Sequence, residues 1–136
     1  LLQGKHNFAS SGGDTFKIAL FDSSATLGAS TTGYATSEEI TNTSGTAYTA
    51  GGETLTRTGV GLTGTTAFTD FSDVTFSSAS FTANAALIYN TTTGTSTGTS
   101  NAVCAIAFGG DKTASNGTFK IEFPANDATA AIIRLA

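Results

Sequence analysis

Large apolar residues alternate with polar or small residues in several short stretches of the chain, and this period of two predicts β-strands. Near the N-terminus, Phe16, Ile18 and Leu20 alternate with Lys17 and Ala19. Turn-forming Ser, Gly and Asp residues flank this stretch on both sides. We therefore predict a half-buried strand whose apolar face points into a core.

A stretch near the C-terminal end shows the same alternation most clearly. Phe119, Ile121 and Phe123 share one face, and Pro124 is expected to end the strand because proline lacks a backbone donor. Further strands are predicted over residues 54–62, 67–81 (one or two), 82–89, 102–108 and 131–135. In the first of these, the side chains expected on the core face are Thr56, Thr58, Val60 and Leu62.

The run Ala85 to Tyr89 differs from the other predicted strands because it is apolar on both faces. Such a run is typical of a central strand or of a strand buried in an interface. We expect one face to lie in the domain and the other, with Leu87 and Tyr89, to lie between copies of the chain.

Three segments rich in Thr, Ser and Gly separate these strands. Residues 27–52 are long enough to predict a functional loop or arm, anchored by its few large side chains, Tyr34, Ile40 and Tyr48. A single helical turn is predicted inside it at Ser37–Ile40. The other two segments are predicted to be an exposed loop tip (90–101) and a turn (109–117).

These patterns together predict an all-β fold: a single-domain antiparallel β-sandwich or barrel of about seven to nine short strands. The domain is expected to span residues 1–136, with residues 1–11 as an N-terminal arm and residues 27–52 as a second arm. Both arms are expected to lie on a partner or a neighbouring copy.

Charge and composition exclude several functions. Charged residues are only 12% of the chain and its net charge is −4, so a nucleic-acid surface, which needs clustered Lys and Arg, is not expected. No apolar run is long enough to span a bilayer as a helix, and no secretory signal is recognisable. Neither nucleic acid nor a membrane is therefore an expected partner.

Residues suited to catalysis are scarce. His6 is the only imidazole, and Cys104 lies in an apolar run where a buried, inert thiol is expected. The adjacent acids Glu38 and Glu39 should diverge on any regular element. We predict no enzyme activity, no cofactor and no metal site, although a weak calcium site remains open at four acids, Asp70, Asp73, Asp111 and Asp127.

Six stretches spread along the chain resemble a family of small structural proteins encoded by tailed bacteriophages. Most members of that family have no assigned position in the virion, and the shared stretches carry no catalytic signature. The resembling stretches are Leu2–Phe8, Phe16–Phe21, Thr46–Gly52, Ala86–Asn90, Phe123–Ala128 and Ala131–Leu135.

The resemblance implies a virion structural protein, made in the host cytoplasm. Within that class we expect a capsid decoration or cement protein that binds the outer surface of the major capsid protein shell and stabilises it. Such proteins are often homotrimers, and a closed ring suits a small repeated subunit. The residues expected at its interfaces are Lys5, His6, Phe8, Tyr34, Ile40, Tyr48, Leu87 and Tyr89.

Two alternatives remain open. A phage tail component (a tail-tube, terminator or fibre subunit) has a similar composition, although a tail-tube subunit normally carries a long hairpin and a helix. A carbohydrate-binding module would need exposed aromatic rings. The chain has no Trp, so Tyr34, Tyr48 and Tyr89 are the candidates for that role.

Overall fold

The computed structural model describes residues 6–41, 47–92 and 101–136. Its strands are β1 (Phe16–Phe21), β2 (Glu53–Leu55), β3 (Arg57–Thr63), β4 (Thr66–Phe71), β5 (Val74–Asn90), β6 (Asn101–Ile121) and β7 (Ile133–Leu135). They form two antiparallel sheets, and the described ranges contain no helix, which confirms the predicted all-β class. The described strands do not close into a barrel, and the arrangement as a sandwich stays a prediction.

The first sheet has the strand order β2-β1-β5-β6, and the second has the order β3-β4-β7. In the first sheet, β1 pairs along its whole length with the end of β5, from Phe16 opposite Asn90 to Phe21 opposite Ala85. The strand predicted over residues 15–21 is therefore confirmed as β1, in the middle of the sheet. The expectation that it is half-buried is wrong, because Ala19 and Phe21 on its second face are also buried.

Strands β5 and β6 form one long hairpin where several short strands and a turn were predicted. Strand β5 has 17 residues and β6 has 21, so the expected turn at residues 109–117 is wrong. Gly109, Gly110 and Asn116 do adopt positive φ angles of 72°, 136° and 46°. They lie at register shifts where β6 has more residues than β5. The positive φ angles therefore occur in β-bulges, and the strand continues past them. Of the predicted loop tip, residues 93–100 lie outside the described residues.

The predicted strand at residues 54–62 divides between the two sheets, and its face assignment is wrong. Leu55, which was placed on the outer face, is 3% exposed, whereas Val60 and Leu62 are 66% and 71% exposed. The chain passes from β2 to β3 at Thr56, and a register shift follows Arg57. The junction at Thr56 and the register shift each change which side chains face inward. A single alternation over residues 54–62 therefore cannot predict the buried face.

The main core contains side chains from both sheets. Phe16, Ile18 and Leu20 of β1 pack there with Phe71 of β4, and Phe8 joins them from the segment before β1. The rings of Phe8 and Phe16 stack with centroids 4.7 Å apart, and Phe71 meets Phe16 edge-on at 5.6 Å. Aromatic contacts therefore dominate this side of the first sheet.

Candidate functional site

The second face of the two-faced strand is covered by the chain itself. Leu87 and Tyr89 form a second apolar cluster with Ala19 and Phe21, and residues 22–41 lie over it. We call residues 22–41 the strap; it contributes Ala25, Leu27 and Tyr34 to the cluster. The expectation that this face lies between copies of the chain is therefore corrected, because it is already filled within one copy.

Backbone pairing fixes the end of the strap beside β1. Glu39 forms an antiparallel bridge with Phe21, and the Ile40 N–H donates to the Leu20 carbonyl at 2.9 Å. The Asp22 N–H donates to the Glu38 carbonyl at 3.0 Å. The helical turn predicted at residues 37–40 is wrong, because Ser37 and Glu38 form a tight turn in which Glu38 has a φ of 60°, and Glu39 then pairs with β1.

The Glu39 carboxylate is the polar centre of the strap. It is 6% exposed and accepts hydrogen bonds from Tyr34 Oη at 2.5 Å, Tyr48 Oη at 2.6 Å and the Gly51 N–H at 2.6 Å. We call Glu39 and these donors the latch. Because a buried carboxylate is costly unless it is hydrogen-bonded, the three donors are what make this position acceptable.

The tyrosines around the latch also bind the neighbouring backbone. The Leu20 N–H donates to Tyr48 Oη at 2.9 Å, and Tyr89 Oη donates to the Gly51 carbonyl at 2.7 Å. The Tyr34 ring stacks on the Tyr89 ring with centroids 4.5 Å apart. The anchoring role predicted for Tyr34 and Tyr48 in the long loop is therefore confirmed.

Burial and the Glu39 charge hold these phenols in the neutral form. Desolvation, followed by the hydrogen bond to Glu39, raises the pKa of Tyr34 and of Tyr48 well above the usual tyrosine range. Desolvation and the Glu39 charge raise the pKa of Tyr89 to about 12. All three hydroxyls are consequently donors at physiological pH.

The N-terminal segment packs on its own domain in its described part. Phe8 is buried in the main core, and the His6 ring lies 6.1 Å from Phe16. The buried Asn90 amide bonds His6 Nδ1 at 3.2 Å and donates to Asp14 Oδ2 at 2.7 Å. Residues 6–11 are therefore not an arm extended away from the domain, which corrects that prediction for the described residues.

The residues predicted for interfaces are mostly interior. Lys5 lies outside the described residues, and His6 and Tyr34 are partly exposed. The other five side chains are buried within this chain: Phe8, Ile40, Tyr48, Leu87 and Tyr89. Phe8, Ile40 and Tyr48 lie in the main core, and Leu87 and Tyr89 lie under the strap. These five side chains therefore expose no surface that a partner could bind.

An exposed apolar surface lies instead on the second sheet, where the sequence pattern predicted buried side chains. Val60, Leu62 and Leu135 are 66%, 71% and 49% exposed, and we call them the patch. Strand pairing puts them on one face, because Leu62 and Leu135 both lie opposite Ala67 while Val60 lies opposite Thr69. A shallow cavity of about 90 Å³ lies there, lined by Phe8, Val60, Ala67, Phe68, Thr69, Ile133 and Leu135.

A larger groove of about 610 Å³ follows the outer strand of the first sheet. Its apolar lining comes from Ile106, Phe108, Phe119 and Ile121 of β6. The charged residues that line it are Asp111, Lys112, Lys120 and Glu122. Because β6 is the last strand of the first sheet, this groove lies along an edge of that sheet.

The acids considered for calcium have separate structural roles. Asp70 is buried and accepts from the Phe71 and Ile132 N–H groups at 2.8 and 3.1 Å. Asp73 pairs with Lys120 at 2.9 Å, and that hydrogen bond lowers the pKa of Asp73. Asp127 Oδ1 accepts from Thr129 in its own turn. No cluster of three potential metal-ligating side chains occurs in the described ranges.

Cys104 carries the single thiol of the chain, and its environment makes it a poor nucleophile. Cys104 is partly buried against the main core, and desolvation raises its pKa to about 11. Since the thiolate is the reactive form, little of this side chain is nucleophilic at neutral pH.

Comparisons with known proteins give no relative. No model of a known protein family, no curated protein and no solved structure matches this chain. Across residues 6–41, 47–92 and 101–136, no helix has the length and apolar character needed to cross a bilayer.

Proposed function

We propose that this chain is a virion structural protein, a capsid decoration or cement protein that binds the outer surface of a phage's major capsid protein shell. The resemblance of the six stretches to phage structural proteins supports the class. The observation that carries the binding role is the patch, since Val60, Leu62 and Leu135 expose apolar surface together on one sheet face. Exposed apolar patches commonly mark protein interaction sites.

The patch is suited to a shell surface because of what surrounds it. Its neighbours on the same face, Ala67 and Ile133, are also apolar, so a partner covers them without desolvating a charge. The strands that present it are joined in a sheet, so binding orders little additional backbone. Many copies, each holding adjacent shell subunits through such a patch, would add their separate contributions to shell stability.

Binding to undecorated shells tests this proposal. The purified chain is mixed with shells of the phage that encodes it and bound protein is measured after sedimentation. Each patch side chain contributes about 2 kcal/mol when fully buried, but only about two-thirds of Val60 and of Leu62 is exposed to a partner. The two side chains together therefore contribute about 2.7 kcal/mol, so Val60→Ser with Leu62→Ser should weaken binding about 100-fold. The matched control is Ala105→Ser with Ala107→Ser, two exposed positions on β6. No binding by the unaltered chain, or equal loss in both double variants, contradicts the proposal.

The expected homotrimer belongs to the same proposal. Light scattering on the isolated chain and on decorated shells measures the number of copies in each unit. Three copies support a trimer at three-fold positions of the lattice, and a monomer in both states contradicts it.

A tail component is the second candidate, and one observation favours it. The long β5–β6 hairpin is a feature of tail-tube subunits, although the helix that normally accompanies it is not present in the described ranges. Electron cryomicroscopy of intact virions separates the two candidates. Density for this chain over the capsid lattice supports the decoration role, and density confined to the tail supports the alternative.

The carbohydrate-binding alternative has little support from ring positions. Tyr48 and Tyr89 are buried, and the ring of Tyr34, which belongs to the strap, stacks on the ring of Tyr89. A sugar-binding module needs ring faces open to solvent.

A further inference from the structure

Asn116 is the only asparagine followed by glycine in this chain, and the structure leaves its side chain free to react. It lies in a bulge of β6, where Ser115 and Asn116 together oppose the single residue Ser80 of β5. Asn116 is exposed and has a φ of 46°. Its backbone N–H donates to Ser80 Oγ at 2.8 Å, while its carboxamide makes no hydrogen bond to any described residue.

The other asparagines whose side chains the structure describes are placed differently. Asn7, Asn84 and Asn90 each use the side-chain amide in hydrogen bonds, to Gly12, Asp111 and Asp14 respectively. Asn126 is exposed but precedes Asp127, whose side chain crowds the following backbone nitrogen. Asn116 alone among the described asparagines combines an unbonded carboxamide, an exposed bulge and a following residue without a side chain.

We propose that Asn116 is a site of spontaneous covalent modification, at which the chain converts to aspartate and isoaspartate. The Gly117 backbone nitrogen attacks Cγ of Asn116, a C–N bond forms, and the side-chain nitrogen leaves as ammonia with the proton from Gly117. Water then opens the five-membered succinimide at either carbonyl. One opening gives an ordinary aspartate. The other gives isoaspartate, in which the main chain continues through the side-chain carboxyl carbon.

Both products change this part of β6. Each adds one negative charge to a chain whose net charge is already −4. The isoaspartate also inserts an extra backbone carbon at a bulge between Ala114, opposite Phe81, and Gly117, opposite Ala79. The modification therefore acts on the pairing of the long hairpin, a consequence independent of the proposed binding role.

The folded chain is incubated in mildly alkaline buffer, digested and analysed by mass spectrometry with separation of the aspartate and isoaspartate peptides. We expect the Asn116 peptide to convert first, to give both products, and to convert faster as pH rises because the attacking nitrogen must lose its proton. An Asn116 peptide that stays intact while another asparagine converts overturns the proposal.

Gly117→Ala is the matched control because the structure accepts it. A β-carbon at Gly117 would lie 3.7 Å from the Ser115 carbonyl oxygen, an ordinary contact, and Gly117 does not have a positive φ. This variant keeps Asn116 but crowds the attacking nitrogen, so conversion should slow severalfold or more. An unchanged rate in Gly117→Ala, or conversion that occurs only in denaturant and not in the folded chain, overturns the proposal.

Discussion

The two faces of the first sheet are closed in different ways. Toward the second sheet, β1 and β5 bury apolar side chains, with stacked and edge-on phenylalanine rings around Phe16. On the opposite face, the strap covers a smaller cluster and is held by the Glu39 carboxylate and three donors. The first closure depends on volume and shape, and the second depends on one buried charge.

This difference also explains why the run Ala85 to Tyr89 in β5 is apolar on both faces. A strand covered by the domain and a strand covered by a neighbouring copy need the same residues, because both faces are dry in either case. The strap is rich in Thr, Ser and Gly, so nothing in its composition identifies it as the cover. The strap has few large side chains, and the hydrogen bonds of the latch hold it against the sheet.

Phe16→Ala should cause the largest loss of stability. Phe16 is fully buried and contacts the rings of Phe8 and Phe71, so its removal leaves a cavity that the stacked rings cannot fill. We expect the free energy of unfolding to fall by about 4 kcal/mol. Urea unfolding measures this, and Thr75→Ala at an exposed position of β5 is the control. A loss close to that of the control would mean that the main core is not as packed as described.

Glu39→Ala should cause the next largest loss of stability, because it removes the charged group that holds the strap. The hydroxyls of Tyr34 and Tyr48 and the Gly51 N–H would lose their acceptor inside the protein. Hydrogen bonds to a charged group are worth about 1.5–3 kcal/mol each, and water entering beside the strap offsets part of the loss, so we expect about 3 kcal/mol. The neighbouring exposed acid supplies the control, Glu38→Ala. Equal effects at both positions would contradict the role of the latch.

Removing a single tyrosine hydroxyl from the latch should lower the free energy of unfolding by less than removing the Glu39 carboxylate. Tyr48 Oη donates to Glu39 and accepts from the Leu20 N–H, and Tyr34 Oη donates to Glu39. We expect losses of about 2 kcal/mol for Tyr48→Phe and about 1 kcal/mol for Tyr34→Phe. Denaturant unfolding of both variants gives the order, and the reverse order would contradict the assignment of Tyr48 as the more important anchor.

Ionisation of the three tyrosines should have no effect on stability at neutral pH and should matter only in alkaline solution. Their pKa values are raised in the folded chain, that of Tyr89 to about 12, so the neutral phenols stabilise the fold fully below the unfolded value of about 10. This stability is lost as pH rises from about 10 through the folded values, because the unfolded chain releases its protons first. Phenolate absorbance should therefore appear together with unfolding. Tyrosines that titrate near pH 10 in the folded chain would contradict the burial of the latch.

The sequence predicts the parts of the fold that depend on local alternation. Strand β1 and the all-β class follow from the period of two, and Tyr34 and Tyr48 stand out as anchors because they are large side chains in a small-residue segment. The pattern fails where distant contacts decide the outcome. The glycines of residues 109–117 predict a turn, yet the ladder with β5 continues through bulges.

The candidate surface was harder to predict than the fold. Val60 and Leu62 alternate with glycines in a strand, which is the same signal that a buried face gives. Only the division of residues 53–63 between two sheets leaves them uncovered. Glu39 was equally hidden, since nothing in Ser37–Ile40 identifies which of two adjacent acids is turned inward.

Thiol accessibility at Leu62→Cys and Leu87→Cys, each in a Cys104→Ser background, tests directly whether the strap covers the second face of the first sheet while the patch stays exposed. Leu62 is 71% exposed on the second sheet, whereas Leu87 is buried under the latched strap. Leu62→Cys should therefore react with an alkylating reagent about as fast as it does in the unfolded chain, and Leu87→Cys should be strongly protected. Adding Glu39→Ala should release part of that protection. Equally fast labelling at both positions in the folded chain would contradict the closure of the first sheet by the strap, because the second face of that sheet would then be open to a partner.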